Sequence, residues 1–112
     1  MASHTCHAVN CRAECPPQYL CCRKHWSMVP QPMQLLVYTH YRRGQCDDMN
    51  PSVEWWQAAM TAVLWVATKE QQPLDVVKRE LRGWLLSVFA AYERRLEVVD
   101  AAMARRREER RV

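Results

Sequence analysis

A mainly helical protein with a small cysteine-rich knuckle at its amino end is the fold class this sequence predicts, on three observations. Residues 6–26, CHAVNCRAECPPQYLCCRKHW, hold five of the six cysteines and two of the four histidines. Beyond that run, apolar residues recur at steps of three and four in three successive segments, which is the period of a helix and not the alternation of a strand. A proline stands near the head of each segment and the chain has only two glycines, so the periodic stretches have starts but few internal breaks.

The first segment, VPQPMQLLVYTHYRRG, begins at Pro30 and Pro32, places Met33, Leu36, Val37, His40 and Tyr41 on one side, and is expected to end at Gly44 with Arg42 and Arg43 in its last turn, where a cation suits the helix dipole. Asn50 and Pro51 form the expected cap and first turn of a second helix, with Val53, Trp56, Met60, Val63, Leu64 and Ala67 on one face and Trp55, Trp65 and Val66 on the other. TKEQQP breaks that pattern. Pro73 then opens a third helix whose stripe runs through Leu74, Val77, Leu81, Leu85, Val88, Tyr92, Leu96, Val99 and Met103 before the charged end ARRREERRV. If continuous to Arg110, this helix is about 55 Å long, more than a small domain covers. Either it bends near Gly83, or its stripe pairs with another copy. From Leu81 to Met103 the stripe steps 4, 3, 4, 4, 3, 4, a stuttered heptad that allows a homodimer through the carboxy-terminal helix without requiring one.

The chain of 112 residues has room for one domain of ordinary size. The expected division is a knuckle with the first helix over 1–46, a second helix packed on it over 47–70, and a helical extension over 71–112. Net charge is only +4, with both ends basic and the middle acidic, so charge alone does not point to nucleic acid. MASHTCHAVN lacks the basic start and apolar run of a secretion signal, and no apolar stretch approaches the roughly 20 residues that span a bilayer, so a cytoplasmic location is expected.

In a reducing cytoplasm, clustered thiols with intervening histidines point to a metal and not to disulfides. Cys22-Arg-Lys-His25 is a short chelate loop, and Cys6 with Cys11 is its expected counterpart, giving C-x4-C-x10-C-x2-H, a closed Cys3His set of the kind that holds structural zinc. His7, Cys15, Cys21 and Cys46 could each replace one of the four. Adjacent cysteines rarely serve one ion in a small knuckle, so Cys22, which keeps the spacing to His25, is preferred to Cys21, and Cys46 reads as a small buried hydrophobe. Arg12, Arg23 and Lys24 would favour the thiolates, and Trp26 reads as a core plug beneath the site. The knuckle is therefore expected to be a zinc site, treble-clef-like, followed by three helices, the last long.

The order CHAVNC, a proline pair, CCRKHW, VPQPMQLLVYTHYRRGQCDD and NPS, followed by an alanine-rich helix, resembles a group of short cysteine-rich, zinc-finger-like proteins encoded in phages and prophages of proteobacteria, over about residues 5–69. The resemblance implies zinc-ligand roles for Cys6, Cys11, Cys22 and His25, and implies that residues 71–112 are an added extension. Cys21 stands where that group would carry an apolar residue, and Cys15 is an additional thiol. The implied setting is a bacterial host cytoplasm. There, small phage proteins commonly work by docking on host machinery, including as inhibitors of host defence such as anti-CRISPR proteins.

The expected function is thus non-enzymatic: zinc stands in for a core that a short segment cannot build, and the helices engage a macromolecule, a host protein or protein complex before others. The alternative is a small zinc-finger nucleic-acid-binding regulator, with Arg12, Arg23, Lys24, Arg42 and Arg43 forming a positive face and the terminal arginines lying on phosphates. Glu108 and Glu109 interrupt those arginines. Catalysis has little support, because His40 beside Tyr41 and the Asp47-Asp48 pair are the only spare groups, and no nucleophile or phosphate loop accompanies them.

Overall fold

The computed structural model describes residues 4–111 and is mainly helical, with an irregular knuckle before Arg23 that holds one isolated antiparallel bridge between Thr5 and Glu14. Five helices follow in order: α1 (Arg23–Met28), α2 (Gln31–His40), α3 (Gln45–Asp48), α4 (Val53–Lys69) and α5 (Leu74–Arg110). α4 packs on α2 on one side and α5 on the other, and the molecule measures 60 × 30 × 28 Å. No helix of the described residues is long and apolar enough to cross a membrane.

Three expected boundaries move. α2 stops at His40 instead of Gly44, so Arg42 and Arg43 fall in a turn and not in a last helical turn. The turn is built by side chains: the Arg42 backbone N–H donates to Gln45 Oε1 at 2.9 Å, and its guanidinium holds Asp48 and the carbonyl oxygen of Asn50. Gly44 at φ 86° then starts the single turn of α3, a conformation for which a side chain would be strained. The cap of α4 is Ser52, two residues later than expected at Asn50, with its Oγ accepting from the Trp55 backbone N–H at 3.1 Å. α1, a helix of six residues inside the cysteine-rich run, is too short to show a period.

The core is made of small residues. Ala59, Ala62 and Val66 of α4 are fully buried, joined by Ala58, Val63 and Ala67, while Leu64, expected on the buried stripe, is 41% exposed. Alanine lets α2 and α5 approach α4 closely, and the large side chains are displaced to the flanks. There Trp55, Trp56 and Trp84 stack edge to face, with ring centroids 5.3 Å apart at each step. Cys6, Ala8, Val9, Leu20 and Cys21 of the knuckle belong to the same buried cluster as Val77 and Leu81 of α5. The knuckle therefore rests on the α4–α5 corner as well as on its own loops.

α5 is continuous, with no break at Gly83. Its single expected stripe divides in two. Val77, Leu81, Val88 and Ala91 are buried, whereas Leu85, Tyr92, Leu96, Val99 and Met103 are exposed.

Candidate metal centre

A bridged loop, one tight turn and one helix start carry the thiols. The Cys11 backbone N–H donates to the Ala8 carbonyl at 3.0 Å, closing a turn in which Asn10 takes the left-handed conformation (φ 65°), one of the few non-glycine residues that does so readily. That turn folds Cys11 back towards Cys6. The Cys6 N–H bonds to Ala13 O and the His7 N–H to Leu20 O, which lays this loop against the chain entering α1. Cys22 is the residue just before α1, and His25 follows in its first turn.

The outcome is one cluster: Cys6, Cys11, Cys22 and His25 each offer an atom, all within 4.8 Å of one another, close enough to hold a metal ion. Cys22 Sγ lies 3.2 Å and Cys6 Sγ 3.7 Å from His25 Nδ1, and Cys11 Sγ lies 4.0 Å from Cys22 Sγ. Cys6 and His25 are buried, and Cys11 and Cys22 are half-buried. Burial pushes the Cys6 thiol up to about 11, against backbone N–H groups of Cys22 and Ala8 that favour its thiolate. Burial acts in the same direction on Cys22, but the backbone N–H and ring of His25, with the Cys6 and Cys11 thiols, outweigh it and bring Cys22 down to about 7. A cation among these sulfurs favours the thiolates further.

The four alternatives lie elsewhere. Cys21 is buried in the core, where burial raises its thiol strongly. Cys15 sits against His4 Nδ1 at 3.5 Å. Cys46, expected as a small buried hydrophobe, is only half-buried and contacts Tyr41 Oη at 3.2 Å, at the edge of the α2–α3 turn and not in the core. His7 packs edge to face on Trp84, and its ring is lowered to about 4 by desolvation and by neighbouring His4. Trp26 is half-buried, with its indole N–H on Tyr38 Oη at 3.0 Å, and it forms a wall of a surface groove instead of lying wholly beneath the cluster. Arg12, Arg23, Lys24, Arg42 and Arg43 are all exposed, and Arg42 is paired with Asp48.

Sequence reasoning missed the group behind the ligand. His25 Nε2 lies 3.1 Å from both oxygens of Glu70 and is aligned for donation to Oε2. An imidazole that gives its Nε2 proton to a carboxylate presents an unprotonated Nδ1, and here Nδ1 faces the thiols. Glu70 reaches His25 because of how α4 ends. The Gln72 N–H bonds to Ala67 O and the Gln71 N–H to Thr68 O, with Gln71 at φ 54°, which is a Schellman closure. The same closure aims Gln72 at the knuckle, where its Oε1 accepts from Asn10 Nδ2 at 3.0 Å, and the Asn10 backbone N–H reaches Glu80 of α5 at 3.3 Å. One signal in the sequence could have found Glu70: a carboxylate at a helix carboxy terminus opposes the dipole and wants a cationic or donor partner.

Beside the centre, Tyr19, Leu20, Trp26, Tyr38, Tyr41 and Trp55 line an open groove of about 660 Å³. No family model, no curated protein and no solved structure matches the chain.

Proposed function

We propose that this is a non-enzymatic protein whose amino-terminal knuckle is held by structural zinc in a treble-clef-like arrangement, and which acts by binding a macromolecule, a protein before a nucleic acid. One observation carries the proposal: four donors of the zinc-preferred kind, three sulfurs and one imidazole, converge from within the chain, the number that fills a tetrahedral structural site. Zinc bonds of about 2.3 Å to sulfur and about 2.0–2.1 Å to nitrogen at tetrahedral angles place ligand atoms about 3.8 Å (S to S) and about 3.6 Å (S to N) apart. The S to N separations of 3.7 and 3.2 Å bracket the second value, the S to S separation of 4.0 Å is slightly longer than the first, and all four donor atoms lie within 4.8 Å of one another. A closed site of this kind supplies folding energy and no reactive water.

The aromatic groove supports a protein partner. Tyrosine and tryptophan offer large rigid surfaces with a polar tip, the composition enriched where proteins dock, and Tyr19 and Tyr38 are more than half exposed beside the centre. The resemblance to phage-encoded proteins makes the partner a component of the bacterial host, with host defence as one candidate, as an anti-CRISPR protein would have. The nucleic-acid reading keeps Arg12, Arg23, Lys24 and Arg43 as free cations, but Arg42 spends its guanidinium on Asp48 and Asn50, and a zinc with three thiolates contributes a net negative charge.

The test is elemental analysis of protein purified from a bacterial cytosol, followed by affinity capture from bacterial cells treated with nuclease. The expected results are one zinc per chain and a protein partner that survives nuclease and is lost with Tyr38→Asp. Absence of bound metal overturns the structural-zinc reading. Capture abolished by nuclease, together with DNA affinity that falls steeply with salt, replaces the protein partner with nucleic acid.

A further inference from the structure

We propose that α5 pairs in parallel with α5 of a second copy of this chain, along a seam of Leu85, Phe89, Tyr92, Leu96, Val99 and Met103. The separation of buried from exposed positions on α5 reveals this seam. The apolar pattern read along the sequence passes through Val88 and stutters in the next two steps, through Tyr92 to Leu96, but Val88 is buried against the rest of the fold and Phe89 is 61% exposed. With Val88 assigned to the internal contact, the exposed residues step 4, 3, 4, 3, 4, an unbroken heptad pattern of the kind that winds two helices into a left-handed pair. Phe89, Leu96 and Met103 take one core position of the repeat, and Leu85, Tyr92 and Val99 take the other. Leu86, also exposed, flanks the seam.

The free end of α5 needs such a partner. α4 begins at Val53, and its contact with α5 closes at the Glu54–Arg95 ion pair, so the turns after Arg95 run on without α4 beside them. An isolated helix of about 12–15 residues is marginal in water, more so when it exposes Leu96, Val99 and Met103.

Charge selects the occupant and its direction. In a parallel pair, the residue before each first core position faces the residue five places further on in the partner, which sets Arg95 against Asp100 of the second copy on both sides of the seam. Arg95 holds both Glu54 oxygens through Nη2 alone, at 2.6 and 2.8 Å, so its other nitrogens remain for Asp100. An antiparallel pair centred on the same seam instead brings Glu93 against Glu93 and Arg95 against Arg95. The internal face of α5, through Leu81, Val88 and Ala91, lies to one side of the seam, and the Tyr92 hydroxyl accepts from Gln57 Nε2 of α4 at 2.8 Å at the boundary between the two, so the second copy packs alongside α4.

The metal-loaded full chain should sediment as a dimer at micromolar concentration. Leu96→Glu and Phe89→Glu, both at exposed positions, should weaken self-association by about thirtyfold or more, the effect of losing a seam anchor, with helicity and bound metal unchanged. Donor and acceptor dyes on the carboxy termini should transfer energy efficiently within the dimer, since an antiparallel pair separates those ends by about 50 Å. A wild-type monomer throughout, or a dimer indifferent to both substitutions, overturns the pairing. A dimer with weak transfer overturns its parallel direction.

Discussion

Cys21 and Cys22 are neighbours in sequence with opposite fates, decided by where α1 begins. Cys22 is the last residue before that helix, so its sulfur lies near the exposed backbone N–H groups of the first turn and faces His25, while Cys21 turns into the core. Cys22→Ser should therefore abolish stoichiometric zinc binding, and Cys21→Ala should keep one metal per chain and cost about 1 kcal/mol of packing, read by mass spectrometry under native conditions and by denaturant titration. The carboxylate behind His25 gives a second expectation. Glu70→Ala should lower metal affinity about 10–100-fold, measured by competition with a chromophoric chelator, because the imidazole loses the acceptor that sets its tautomer and ring orientation. Glu70→Gln, which keeps a carbonyl acceptor but no charge, should fall between Glu70→Ala and the wild type. Equal affinity in all three would mean that Glu70 does not orient the ligand.

Helix ends place the functional groups more than helix middles do. Ser52 satisfies a free N–H at the start of α4, and Asn50 bonds through its backbone, its carbonyl accepting from Arg42 and its N–H donating to Asp48. Ser52→Ala should accordingly cost about 1 kcal/mol in a denaturant-unfolding experiment, with Asn50→Ala near neutral; the reverse order would restore Asn50 as the cap. At the other end of α4, the Schellman closure aims Glu70 at His25 and Gln72 at Asn10, so a turn that reads in sequence as a mere pattern break (TKEQQP) is what joins helix and knuckle. The alanine face of α4 shows why helical period was legible and the choice of buried side was not. Ala58, Ala59 and Ala62 carry little hydrophobic signal, yet close packing of backbones selects them over Leu64 and Met60.

Because the knuckle and the corner of α4 and α5 share one buried cluster, metal removal should be felt beyond the cysteines. Chelation should raise amide exchange across residues 5–28 and also at Val77 and Leu81, whose side chains pack in the same cluster, while the turns after Arg95 change little. Exchange confined to the knuckle would show that α4 and α5 hold together without it. A mass spectrum of exchanged fragments with and without chelator distinguishes the two. The long dimension of 60 Å reflects α5, whose distal half lies outside the shared core with Leu96, Val99 and Met103 exposed.

Thiol and imidazole spacing was enough to nominate Cys6, Cys11, Cys22 and His25, because short chelate loops bring ligands together whatever the surrounding fold, and the structure draws those four into one cluster. Helical period likewise exposed α2, α4 and α5, since it is a local property of the chain. The carboxylate of Glu70, the grip of Gln72 and Glu80 on Asn10, and the division of α5 between a buried and an exposed stripe were beyond that reach. Each depends on residues 35 to 70 positions apart meeting in space, and a one-dimensional pattern carries no term for such encounters.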